Sequence, residues 1–171
     1  TITTGASSLQ IDPDPYVDAF LDDRSAWYSD GPNVIGAPDN QCAVISWHYG
    51  YGFMTLDMGL LEEIVDGTGE DFSVIAYGGT YRVSVTSDLE LSFVVLGEAQ
   101  GNQSFDLSGS GVSAARYLRV EYIDGEDIYL DAVVASHYNT PEAYTEPPSI
   151  VPIADVTLPA GRPNVTLRWI A

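Results

Sequence analysis

Carboxylates gather at the turns of this chain. Gly36-Ala37-Pro38-Asp39, Asp66-Gly67-Thr68-Gly69-Glu70-Asp71 and Asp127-Ile128-Tyr129-Leu130-Asp131 each set acids beside glycine or between apolar residues. Oxygen ligands offered at irregular spacings from flexible turns suit Ca²⁺, which accepts a loose coordination shell, better than Mg²⁺, which demands a near-octahedral one. The competing chemistry is that of the turn itself, because Asp and Gly satisfy backbone groups and tolerate positive φ without any metal. The neighbouring acids Glu62 and Glu63 read as a solvated surface pair.

Other side chains point to binding rather than reaction. Trp47, Tyr49 and Tyr51, followed by Phe53, fall on one side of an extended strand. That spacing offers either a platform on which sugar rings stack or a face for packing, and packing is the preferred reading. His48 and His137 are the only histidines, neither in a metalloprotease spacing, and there is no nucleophile elbow or phosphate-binding loop. A non-catalytic protein is therefore expected. Cys42 is the lone cysteine and reads as a small buried hydrophobe. Asn102-Gln103-Ser104 and Asn164-Val165-Thr166 are acceptor sequons for N-glycosylation.

The elements that must hold these residues are strands. Apolar runs bounded by Gly, Asp and Asn recur at 42–47, 52–58, 72–77, 81–86, 91–96, 103–107, 117–122 and 128–136, the rhythm of a β-sandwich. In Tyr81-Arg82-Val83-Ser84-Val85-Thr86 the period of two predicts that Tyr81, Val83 and Val85 pack while Arg82, Ser84 and Thr86 face water. The stretch 15–28 is expected to hold at most a turn or two of helix. Residues 140–163 carry six of the ten prolines and predict an extended strap. The β-prone tips, with Ile2 at one end and Val165, Leu167 and Trp169 at the other, are shaped to add to the sheet edge of a neighbouring copy. The resulting division is an extended segment 1–15, a sandwich 16–139, and a strap with a terminal strand 140–171.

Composition bounds the partners. The 171 residues are 45% hydrophobic, ample for one core, and carry 25 acids against six arginines, a formal net charge of −19. A chain without a basic face is not a nucleic-acid binder. No apolar run approaches the ~20 residues of a membrane-spanning helix. The chain starts at Thr1, and together with the sequons this predicts a mature, exported protein at the cell surface.

From about residue 16 to 138 the order Tyr16-Val17-Asp18, Val34-Ile35-Gly36-Ala37-Pro38-Asp39, Asp66 through Val74, Val83-Ser84-Val85-Thr86-Ser87-Asp88, Phe105-Asp106-Leu107, Ala115-Arg116-Tyr117-Leu118-Arg119-Val120 and Leu130-Asp131-Ala132-Val133 resembles secreted jelly-roll modules of bacterial and archaeal cell-surface proteins, akin to carbohydrate-binding and discoidin-like domains. The resemblance implies an all-β, antiparallel two-sheet jelly-roll sandwich with a structural Ca²⁺ near one end. The ligands it implies are Asp18, Asp39 and Asp131, with Asp66, Glu70 and Asp71 as further candidates. Segment 46–53 departs from the small, Gly-rich strand opening that such modules carry there. The leading expectation is a structural subunit that polymerises with copies of itself by terminal strand exchange into a filament, tube or layer. A carbohydrate-binding module that recognises glycans is the first alternative, and a protein-binding adhesion domain the second.

Overall fold

The computed structural model describes residues 13–23, 30–46 and 52–140. Among them the strands are β1 (Ala19–Asp23), β2 (Ala43–Ile45), β3 (Phe53–Asp57), β4 (Ile64–Val65), β5 (Phe72–Thr86), β6 (Val94–Gln100), β7 (Gln103–Phe105), β8 (Ala114–Ala115) and β9 (Tyr117–Ala135). A single 3-10 turn, Gly31–Val34, is started by Pro32, whose fixed φ suits a first helical position. Every strand pairing is antiparallel, so the expected all-β antiparallel class is what the chain forms. Within the stretch 15–28, residues 19–23 form strand β1, and 24–28 lie outside the described residues.

Two long strands organise the sheet. Its order is β1-β3-β9-β5-β6, with β2 added on β9 and β7 on β5, while β4 and β8 form a separate ribbon. The runs 72–77 and 81–86, which read as two strands, are one: β5 spans 15 residues and bends in the middle. Gly78, at φ +103°, and Gly79 make the bend, and a Cβ on either would run into the Asp127 or Glu126 carbonyl oxygen of β9. Only residues without side chains allow that approach. The register slips there, so the buried positions change from Phe72, Val74 and Ala76 to Tyr81, Val83 and Val85.

The bend divides the pairing into two halves. Before it, β5 lies between β7 and the 128–135 stretch of β9; after it, between β6 and the 117–122 stretch. Both halves contribute to one hydrophobic core, in which Ile45, Phe72, Val74, Ile128 and Leu130 join Met54, Leu56, Val83, Leu118 and Val120. At ~25 cal/mol per Å² of apolar surface, each such side chain contributes roughly 1.5–3 kcal/mol.

One packing expectation is corrected. Tyr81, Val83 and Val85 are buried as the period of two requires, but Ser84 and Thr86 are buried too. The Arg119 guanidinium lies between the rings of Phe53 and Phe93, 4.4 and 4.2 Å from their centroids, on the strand next to Ser84. Its Nε donates to Thr55 Oγ1 at 3.3 Å. This stack of a cation between two rings covers the face that water was expected to take.

Candidate metal centre

The register that places Ala19 opposite Asp57, and Asp57 opposite Tyr117, brings three segments to one end of the sheet: residues 14–18 before β1, 58–63 after β3, and Arg116 before β9. Asp18 N donates to Asp57 O at 3.0 Å, which continues the ladder to its last rung. Asp57 is buried and anchors the turn. Its Oδ1 accepts from Gly59 N at 2.9 Å and from Arg116 Nε at 2.8 Å, and its Oδ2 accepts from Arg116 Nη2 at 2.9 Å. Gly59 takes φ +105° and Leu61 +68°, so the chain reverses sharply and returns Glu62 towards Asp18. No side chain fits at Gly59, where a Cβ would strike the Asp18 carboxylate and lie 3.0 Å from Glu62 Oε2.

Asp14, Asp18 and Glu62 thereby form a carboxylate trio in which one oxygen of each lies within 4.8 Å of the others. Asp14 Oδ1 also accepts from Tyr16 N at 2.9 Å, which fixes its side chain. Glu62 is buried, while Asp14 and Asp18 open to solvent. Burial pushes the Asp18 carboxyl above its ordinary value, the negative charges of Asp14 and Asp57 push the same way, and Arg116 opposes them. A carboxylate whose charge is disfavoured by its neighbours is one that a bound cation relieves. The donor set is all oxygen, which suits a hard divalent ion, and the space a Cβ of Gly59 would fill lies against two of the three carboxylates.

A second trio, Asp66, Asp71 and Asp106, meets the same distance criterion but has other work. Asp71 is fully buried, and its oxygens accept from Gly67 N at 2.7 Å, Leu107 N at 2.7 Å and His137 Nδ1 at 3.0 Å. It ties together the loops 66–71, 106–108 and 136–138. Both oxygens of Asp106 are engaged by Ser108, from its N at 2.6 Å and its Oγ at 3.2 Å. Glu70 is exposed and lies in neither trio.

Asp39 and Asp131 come together, but as turn chemistry. The Asp131 carboxylate accepts from the backbone amides of Asp39 at 3.2 Å and Asn40 at 3.1 Å, and Asn40 sits at φ +67°. The Asp39 carboxylate accepts from Gln41 N at 2.8 Å and Gln41 Nε2 at 2.7 Å. Of the three ligands carried by the resemblance, Asp18 alone belongs to a trio, and its partners Asp14 and Glu62 were not singled out from sequence. Glu62, read as a surface acid, is buried against Gly59. The four-residue spacing of Asp14 and Asp18 was the visible signal; the return of Glu62 depends on the Gly59 turn.

Trp47, Tyr49 and Tyr51 lie outside the described residues, as do Ile2, Asn164, Val165, Leu167 and Trp169. The described aromatic feature on the surface is Tyr77, 58% exposed, stacked on Tyr129 across the β5–β9 ladder at 4.8 Å and 7° between planes. Cys42 lies beside Tyr77, and its thiol is pushed up, chiefly by burial.

No protein-family model and no curated protein matches the chain. Among solved structures it is similar to a mutant Ruminococcus gnavus GH29 fucosidase in complex with fucose, at 16% identity and a TM-score of 0.45, over 68% of this chain and 23% of that one.

Proposed function

We propose that the protein is a non-catalytic extracellular structural subunit, stabilised by Ca²⁺ held at Asp14, Asp18 and Glu62, that joins copies of itself through its terminal segments into a filament, tube or layer. The observation that carries the reading is the trio itself: three carboxylates drawn together by a turn that exists only because residue 59 is glycine. Bound Ca²⁺ supplies positive charge that offsets the burial of Asp18 and its crowding by Asp14 and Asp57. Asp57 and Arg116 hold the turn, Asp14 fastens the segment before β1, and Glu62 fastens the segment after β3.

Support for assembly comes from the flank of the sheet at β6. Among the described residues β6 ends the strand order, and its Val95 is 57% exposed. A sheet edge invites an added strand. The sequence Val165-Thr166-Leu167-Arg168-Trp169 alternates as such a strand does. A head-to-tail contact of this type propagates rather than closes. The test is sedimentation and electron microscopy of the full chain in Ca²⁺ and in excess chelator. Polymers that dissolve when the ion is removed, and re-form when it is restored, are expected; polymers that persist in chelator, or a monomer under both conditions, refute the reading.

A further inference from the structure

Asn102 sits where the rim of the sheet is broken. β6 ends at Gln100, opposite Thr80, and β7 begins at Gln103, opposite Val74, so Gly101 and Asn102 alone pass residues 75–79 of β5. Side chains complete the missing rungs. Ala76 N donates to Asn102 Oδ1 at 3.0 Å, Gln100 Nε2 donates to Gly78 O at 3.0 Å, and Tyr81 OH donates to Gly101 O at 2.6 Å. The first of these orients the Asn102 amide. Its oxygen is fastened to the sheet, so the nitrogen, on the other arm of the same planar group, is directed away from that bond, and the residue is exposed.

Tyr77, one residue along β5 from the amide that Asn102 accepts, is the most exposed aromatic among the described residues. One face of its ring rests on Tyr129 of β9. The opposite face is turned away from β9, and β9 and the β6–β7 edge flank β5 on opposite sides. A broad apolar ring left open beside an outward amide nitrogen in Asn102-Gln103-Ser104 has the chemistry of a seat for a sugar.

We propose that Asn102 is an N-glycosylation acceptor and that the first sugar of its glycan packs on the open face of Tyr77. In the transfer, Nδ2 forms a bond to the anomeric carbon of a lipid-pyrophosphate-linked sugar, the bond from that carbon to phosphate breaks, the lipid pyrophosphate leaves, and Nδ2 gives up a proton. The donor and its transferase are supplied by the export pathway of the host. Ser104 Oγ is hydrogen-bonded to Ser73 Oγ at 2.8 Å across the β5–β7 pairing. The hydroxyl that the sequon requires is free only before β7 docks, so transfer precedes folding, and the outward amide lets the folded sheet keep the sugar.

The test is secretion of the full chain, in an Asn164→Gln background, from a eukaryotic cell, alongside the same chain made in a bacterium without the transferase. Peptide mapping after enzymatic deglycosylation in ¹⁸O-labelled water is expected to label position 102, and Asn102→Gln is expected to abolish the added mass. The glycosylated form is expected to melt about 2–4 °C above the bare form, and Tyr77→Ala is expected to remove that difference. A secreted chain unmodified at Asn102 overturns the acceptor assignment. A glycosylated chain in which Tyr77→Ala lowers both forms equally overturns the seat.

Discussion

Replacing Asp18 by asparagine is expected to change sign with calcium. Unit charges ~4.8 Å apart repel by about 1 kcal/mol in a water-like dielectric, the appropriate limit because Asp14 and Asp18 are exposed. In chelator, Asp18→Asn removes the burial cost of the Asp18 charge and its repulsions with Asp14 and Asp57, while giving up the attraction of Arg116. The net expectation is a melting temperature raised by about 2–4 °C. With Ca²⁺ at about a hundred times its dissociation constant, the parent chain gains about 2.7 kcal/mol, and the variant, short of one anionic ligand, loses most of that gain. Melting curves of parent and variant by circular dichroism, in chelator and in millimolar Ca²⁺, should therefore cross. The pH dependence has the matching sign. The folded-state value of Asp18 lies above its ordinary 3.8, so its contribution in the metal-free protein is fully present below 3.8 and is lost as pH rises through the raised value. A variant that melts lower than the parent by the same amount in both media would show that Asp18 only caps a turn, and the argument for a cation would fail.

Asp71→Ala leaves two backbone amides, of Gly67 and Leu107, without their acceptor; at ~1–3 kcal/mol for each stranded group, chemical denaturation should show a loss of about 3–5 kcal/mol, with no dependence on calcium. Arg116→Met strands the buried Asp57 carboxylate and should cost about 2–3 kcal/mol, below the range for fully buried pairs because Arg116 is partly exposed; an unchanged denaturation midpoint would refute the anchor. The hydroxyl of Tyr81 is pushed up to about 12 by burial, so its contribution to stability is complete below the ordinary 10 and is lost as pH rises through 12. Absorbance titration of the phenolates should show a late-ionising group that disappears in Tyr81→Phe. Gly59→Ala places a methyl against Asp18 and Glu62 in a left-handed backbone and should abolish the calcium-dependent rise in melting temperature.

The strand class was legible because it rests on alternation, which survives in a single sequence: Tyr81, Val83 and Val85 declare their face unaided. Length and connection were not. Gly78-Gly79 reads as a turn by every local rule, yet here it lets β5 pass uninterrupted across the carbonyls of β9. β6 begins at Val94 instead of Leu91 because Asp88 accepts from Glu90 N through its side chain and from Leu91 N through its carbonyl, which prolongs the turn. Ser84 and Thr86 are dry because of Arg119, Phe53 and Phe93, residues scattered over the sequence that only the sheet register assembles.

The acids show the same limit more sharply, since all 25 look alike in sequence while the fates of Asp71 and Asp131 are set by donors from elsewhere. Asp71 receives its donors from loops beginning some 35 and 65 residues further on, and burial of the charge follows from that supply. Asp131 is similarly used by the amides of residues 39 and 40. At Asp18 the supply stops: among the described residues its carboxylate receives no hydrogen bond, and Arg116, close enough to attract it, is committed to Asp57 by two short bonds. The other described arginines are engaged too, Arg82 with Glu98 and Glu121 and Arg119 between two rings. Positive charge from solution would relieve the crowding of Asp18 by Asp14 and Asp57. A divalent ion, which several oxygens can share, meets that need at less entropic cost than a pair of monovalent ones, and this is why loss of response to calcium, rather than loss of fold, is the signature to look for in Gly59→Ala and Asp18→Asn.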